Sequence, residues 1–147
     1  MLMSVANDHV ELASRLRLAI TRTARRLRQQ QGTDTLSPTL IAFLSAIERH
    51  GPMTPSELAD RERVQRPTAT RAIGNLSEAG LVERIGDEAD KRVVRLEITA
   101  EGRKLLKRVR TRKTAYLAKR IEGLDPDDRA TLERAGDILE RMLEDDE

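Results

Sequence analysis

The sequence predicts a mainly α-helical chain with one short β-hairpin, in the order α-α-α-α-β-β-α-α. Two periodicities indicate this fold class. Apolar residues recur at helical spacing in six segments, whereas between Gly80 and Thr99 they alternate with a period of two. Composition agrees, because only 1% of the 147 residues are aromatic. The core must therefore be mostly Leu, Ile, Val and Ala, which suits packed helices.

The first two helices are predicted at residues 8–30 and from the cap Ser37 to about His50. The first is amphipathic and ends at the polar break 32–35. Ser37 is a good N-cap followed by proline, and Gly51-Pro52 stops the second helix. The apolar stripe of the first helix comprises Leu12, Leu16, Ala19, Ile20, Thr23 and Leu27.

A short third helix and a fourth helix follow, separated by a tight turn. Thr54 and Glu57 have the spacing of a capping box, and this helix ends near residues 60–63. The fourth helix opens in the stretch Val64–Arg71 and ends at Gly80. A small core between the two is predicted from Leu58, Ala59, Val64, Ala69, Ile73 and Leu76.

The period-two stretch predicts strands at 81–85 and 93–98 around a polar loop, 86–92. Thr99 then caps a long basic helix that runs to about residue 121 and stops at Gly123. The last helix starts at Asp125-Pro126 and carries an apolar stripe. A helix-turn-helix followed directly by a hairpin is a winged helix-turn-helix.

The charge distribution favours a polyanionic partner. Residues 122–147 carry 3 basic and 11 acidic side chains, a net charge of −8, whereas residues 1–121 carry 24 basic and 14 acidic ones, a net of +10. A basic body is the electrostatic footprint expected for nucleic acid. A merely solvated helix surface is the alternative interpretation.

Enzymatic, metal and membrane functions find little support in the sequence. There is no Cys, and His9 and His50 lie far apart in no ligand-spaced cluster. Asp87, Glu88 and Asp90 lie at a predicted hairpin tip, which lacks the walls needed to tune carboxylates. No nucleotide-binding or hydrolase motif occurs. We therefore predict no enzyme, cofactor, metal or membrane partner, and a soluble cytoplasmic protein.

The first turn of the fourth helix is rich in hydrogen-bond donors and has no carboxylate. Arginine can bond guanine O6 and N7 together, and glutamine can do the same for adenine N6 and N7. Lys91 and Arg92 at the wing tip could enter the minor groove, with Asp90 orienting Arg92. A solvated helix end and an unstructured charged loop are the alternatives. The remaining predicted DNA-binding residues are Gln65, Arg66, Pro67, Thr68, Thr70, Arg71 and Asn75.

Residues 8–35 and 105–147 are predicted to form a dimer interface around a winged lobe at 36–104. The terminal helices carry apolar stripes without enough partners in the chain, although an intramolecular bundle is the alternative. The acidic last helix could pair with the Arg-rich first helix of a second copy. The predicted interface residues are Leu12, Leu16, Leu132, Ile138, Leu139 and Met142.

The chain resembles the MarR family of bacterial winged-helix transcriptional regulators over nearly its whole length. The resemblance rests on the stretches 54–59, 64–71 and 76–82, on Asp87, Asp90 and Arg92, and on Leu96 and 99–102. Gln65 and Ala89 depart from the family pattern, which often has Ser and Arg there.

The resemblance implies a homodimeric repressor on a pseudo-palindromic operator. It also implies possible release by a small anionic aromatic ligand bound between the dimerisation helices and the winged lobe. The alternative is an architectural protein that binds nucleic acid without sequence specificity or effector control. A helical interaction module that has lost DNA binding is a third hypothesis, with Ala89 as its only support.

Overall fold

The computed structural model describes residues 2–32 and 36–144, with backbone only at 2–6 and 31. It confirms the predicted order of helices and strands. A short 3-10 turn, Gln29–Gln31, extends the first helix. The elements are α1 Leu2–Arg28, α2 Pro38–His50, α3 Pro55–Arg61, α4 Arg66–Glu78, β1 Val82–Gly86, β2 Val94–Ile98, α5 Ala100–Glu122 and α6 Pro126–Glu144.

Side-chain caps fix the starts of three helices, as the sequence predicted. Ser37 Oγ accepts from the Leu40 N–H, and Thr99 Oγ1 accepts from the Gly102 N–H. At α3 the capping box is complete, with Thr54 and Glu57 each accepting the other's backbone N–H. These bonds satisfy N–H groups that a helix start leaves without acceptors.

The core lies inside one lobe built from α2, α3, α4, the hairpin and the first half of α5. It continues past residue 104, because α5 contributes Leu105, Leu106 and Val109. The division at residue 104 thus falls inside a helix that the core shares. The largest fully buried side chains are Phe43, Leu44, Ile47, Leu58, Ile73, Leu76, Leu96, Leu106 and Val109.

The hairpin is antiparallel, and the register pairs Val82 with Ile98 and Gly86 with Val94. β1 therefore lies one residue later than predicted. β2 has a second neighbour that the sequence did not reveal, because Met53 exchanges two backbone hydrogen bonds with Leu96, at 2.7 and 3.2 Å. This single-residue bridge ties the hairpin to the chain just before α3.

The terminal helices leave most of their apolar side chains exposed. α6 buries no side chain in the described part of the chain, and α1 begins at Leu2, earlier than predicted. Part of the predicted break after α1, residues 33–35, lies outside the described residues. None of the described helices is long and apolar enough to cross a membrane. The exposed apolar residues of α1 and α6 are Val10, Leu12, Leu16, Leu18, Ile20, Leu132, Ile138, Met142 and Leu143.

Candidate nucleic-acid interface

The turn between α3 and α4 is tight and held by backbone bonds. The Val64 N–H donates to the Ala59 carbonyl, and the Arg63 N–H donates to the Asp60 carbonyl. Arg63 has a φ of 53°, in the left-handed region that few side-chain-bearing residues adopt. Val64 packs half-buried against the core, so the helix itself begins at Arg66. The turn thereby fixes the direction in which α4 leaves α3.

α4 divides cleanly into a buried face and an exposed face. Ala69, Ala72, Ile73 and Leu76 are buried at helical spacing against the rest of the lobe. All seven residues predicted on this helix to bind DNA are exposed: Gln65, Arg66, Pro67, Thr68, Thr70, Arg71 and Asn75. The predicted set therefore lies on the solvent side of one helix.

The start of α4 is suited to an anionic partner. Gln65 is the N-cap, yet its side chain makes no capping hydrogen bond, and the first turn has no acidic residue. The first backbone N–H groups of a helix lack internal acceptors and carry its positive dipole. Arg66 and Arg71 form no salt bridge with any described residue. Thr70 differs, because its hydroxyl donates to the Arg66 carbonyl at 3.0 Å.

The wing tip is ordered by its own hydrogen bonds, and the predicted pairing of Asp90 with Arg92 is confirmed. Asp90 Oδ1 accepts from the Arg92 N–H at 3.0 Å and from Arg92 Nε at 3.3 Å. The side chain of Arg92 is nevertheless 93% exposed, and Lys91 is exposed beside it. The tip therefore presents two cations to solvent, one of which an aspartate orients.

Sequence reasoning missed Arg95, which makes two ion pairs from β2. Its Nε lies 3.1 Å from Asp87 Oδ2, and its Nη1 lies 3.7 Å from Glu57 Oε2 on α3. Asp87 and Arg95 are diagonal neighbours across the hairpin, so the correct strand register would have revealed the first pair. The pKa of Asp87 lies below its ordinary value because the Ala89 N–H donates to its carboxylate, and Arg95 adds to the effect.

A second basic region follows α5. A groove of about 640 Å³ is lined by Glu48 of α2 and by α5, including Arg103, Lys107 and Arg110. Glu48 Oε1 lies 2.7 Å from Arg110 Nη1. Burial lowers the pKa of nearby Lys113, and the positive charges of Arg28 and Arg110 lower it further. Among the described residues, no cluster of His and acidic side chains could hold a metal.

A tight helix-turn-helix, an exposed second helix and a cationic hairpin tip define a winged helix-turn-helix DNA-binding protein. A model of the MarR family matches residues 36–94. An uncharacterised HTH-type transcriptional regulator of Mycobacterium leprae is 34% identical over 138 residues, which cover 94% of this chain and 96% of the relative. The chain belongs to the MarR family of transcriptional regulators.

Solved structures agree with this assignment. A Pseudomonas aeruginosa protein assigned as a transcriptional regulator matches with a TM-score of 0.84 and 32% identity, covering 93% of this chain and 96% of that one. Streptococcus pneumoniae FabT, crystallised in complex with DNA, has a TM-score of 0.67 at 23% identity, covering 95% and 99%. The second likeness establishes a shared fold.

Proposed function

We propose that the chain is a homodimeric, sequence-specific repressor that binds a pseudo-palindromic operator in double-stranded DNA. The observation that carries the proposal is the first turn of α4, where exposed donors surround a helix start without a carboxylate. A buried opposite face holds that helix rigidly against the lobe. FabT, which shares the fold, was crystallised with DNA.

Roles within the interface follow from side-chain chemistry. Arg66 and Arg71 are the proposed base readers, since a guanidinium can engage guanine O6 and N7. Gln65 is free of any capping hydrogen bond and is proposed to read adenine. Thr68 and Asn75 are proposed phosphate contacts. The hydroxyl proton of Thr70 is already engaged, so Thr70 is proposed to act through its methyl group and its acceptor oxygen.

The wing is proposed to enter the minor groove beside the helix. Lys91 and Arg92 are exposed at its tip, and a narrow minor groove attracts arginine. Asp90 holds the guanidinium of Arg92 in one orientation, which lowers the entropy lost when it binds.

A second copy of the chain is the proposed partner of α1 and α6. Their exposed apolar residues include the predicted interface residues Leu12, Leu16, Leu132, Ile138 and Met142, and Leu139 is half-buried. The acidic α6 of one copy and the Arg-rich α1 of the other would attract each other. A two-fold dimer would set two α4 helices in successive major grooves, about 34 Å apart.

The basic groove on α5 supports the proposed small anionic aromatic ligand. Arg103, Lys107 and Arg110 would attract a carboxylate, which would compete with Glu48 for Arg110. Binding there would bias α5, which connects the core of the lobe to α6. The ligand would thus shift the population of dimers away from the spacing that DNA requires.

Selection of bound fragments from the source genome, followed by titration of salt, tests the proposal. We expect a recurring two-fold site that overlaps promoters, bound at least about 10³-fold more tightly than random duplex. Equal affinity for all sequences would establish the architectural alternative instead, and no binding at low salt would exclude both. Adding benzoate, with neutral benzamide as the control, tests ligand release in the same assay.

A further inference from the structure

The wing needs an attachment that fixes its angle to α4. Its tip is closed by local bonds, since the Asp87 N–H donates to the Val93 carbonyl and the Val93 N–H donates to the Asp90 carbonyl. The ion pair of Arg92 with Asp90 also stays within the tip. None of these contacts reaches the helix-turn-helix, so they order the loop without orienting it.

Arg95 is the residue that reaches across. Its guanidinium lies between Asp87, at the start of the wing loop, and Glu57, in the first turn of α3. On the neighbouring residue, the backbone bonds of Leu96 to Met53 hold β2 beside the chain that enters α3. One side chain therefore joins the base of the wing to the helix that supports α4.

Both carboxylates are already fixed before Arg95 meets them. Asp87 Oδ1 accepts from the Ala89 N–H at 2.9 Å, and Glu57 Oε2 accepts from the Thr54 N–H at 3.1 Å. Little side-chain entropy is then lost when the ion pairs form. The side chain of Arg95 is 35% exposed, against 93% for Arg92, so solvent screens its pairs less. A planar guanidinium can serve two directions at once, whereas an ammonium is a point charge.

We propose that Arg95 is a positioning residue for DNA binding, which locks the wing to α3 through Asp87 and Glu57 so that Lys91 and Arg92 meet the minor groove. Arg95 itself need not touch DNA. The inference rests on the proposed role of the wing in DNA binding.

The test is a set of operator-binding titrations by fluorescence anisotropy, with the unfolding temperature measured for each variant. Arg95→Gln should raise the dissociation constant about 5-fold, and Arg95→Lys should recover only part of the loss. Arg84→Gln removes the same charge from the exposed side of the same hairpin and should have a smaller effect.

Glu57→Gln gives the sharpest comparison. Glutamine keeps the capping box but loses the charge that faces Arg95. Removing a negative charge should strengthen binding to DNA if only the overall field matters. Positioning predicts the opposite sign, a weaker affinity with an unchanged unfolding temperature. Tighter binding of Glu57→Gln would overturn the proposal.

A double-mutant cycle with Arg92→Ala completes the test. If Arg95 acts through the wing tip, Arg95→Gln should cost less than about 2-fold once Arg92 is absent. An equal loss in both backgrounds would overturn positioning while leaving the wing contact intact. If Arg92→Ala alone leaves the dissociation constant unchanged, the proposed wing contact is wrong, and the inference falls with it.

Discussion

At the residue scale, reading and positioning are separable tasks on this surface. Arg71 is exposed on α4 and forms no salt bridge with a described residue, so its guanidinium is available to a base or a phosphate. Arg95 is engaged twice within the protein. An arginine that already has two partners gains less from DNA than one that has none.

Arg71→Ala should weaken operator binding by about 1–3 kcal/mol if Arg71 reads a base. The slope of log affinity against log salt should then stay nearly constant, and discrimination at one base pair should fall. A loss that is uniform across sequences, with a slope reduced by about 1, would assign Arg71 to a phosphate instead. Arg61→Ala, an exposed arginine on α3, is the control. An unchanged dissociation constant for Arg71→Ala would refute both roles.

The sequence predicts some residue contacts and hides others for a physical reason. Asp90 and Arg92 are two residues apart in a tight loop, so their pairing follows from local geometry alone. Arg95 meets Glu57 only because the backbone pairing of Met53 with Leu96 brings β2 to α3. That contact depends on the tertiary fold, which periodicity does not encode.

At the scale of elements, the start of α5 is docked onto the turn that follows α4. Thr99 Oγ1 donates to the Gly80 carbonyl at 2.7 Å, and the Thr99 N–H donates to the Leu81 carbonyl at 3.0 Å. Gly102 lies in the first turn of α5, where a Cβ would collide with the Leu81 carbonyl and lie 2.7 Å from Ile98 Cγ1. Glycine is required there because backbone and side chain approach too closely for any other residue.

Gly102→Ala should destabilise the fold by about 1–3 kcal/mol, because α5 must shift away from β2 and Leu81. Gly74→Ala in α4 is the matched control, since a Cβ there meets nothing within 4 Å. That change should stabilise by about 0.5–1 kcal/mol, as alanine loses less backbone entropy in a helix. Urea unfolding of both variants measures the two signs. A Gly102→Ala variant as stable as wild type would contradict the close approach.

Helix starts were predictable because a cap is a local signal, read from Ser37, Thr54 and Thr99. The strand start was wrong by one residue, since Leu81 and Val82 are both buried and give no alternation at that end. Met53 was missed altogether because a bridge of one residue has no period. Local chemistry thus sets helix ends, whereas sheet register is settled by packing.

At the scale of the whole molecule, the chain combines a lobe with a filled core and two helices that lack one. The buried apolar residues run from Ile41 to Val109, and α6 adds none. Isolated helices gain most of their stability from packing, so α6 requires a partner surface. A second copy, with opposite charge on α1 and the same exposed apolar residues, is the surface that we propose.

Deleting residues 124–147 should therefore give a monomer that keeps a folded lobe, because none of the buried core residues lies in the deleted segment. Analytical ultracentrifugation measures the mass, and thermal unfolding followed by circular dichroism checks the lobe. Operator affinity should fall about 10²- to 10⁴-fold, since each half-site is then bound without the gain in effective concentration from its twin. Binding to a single half-site should change little, which serves as the control. A truncated protein that still sediments as a dimer would place the interface elsewhere than on α6.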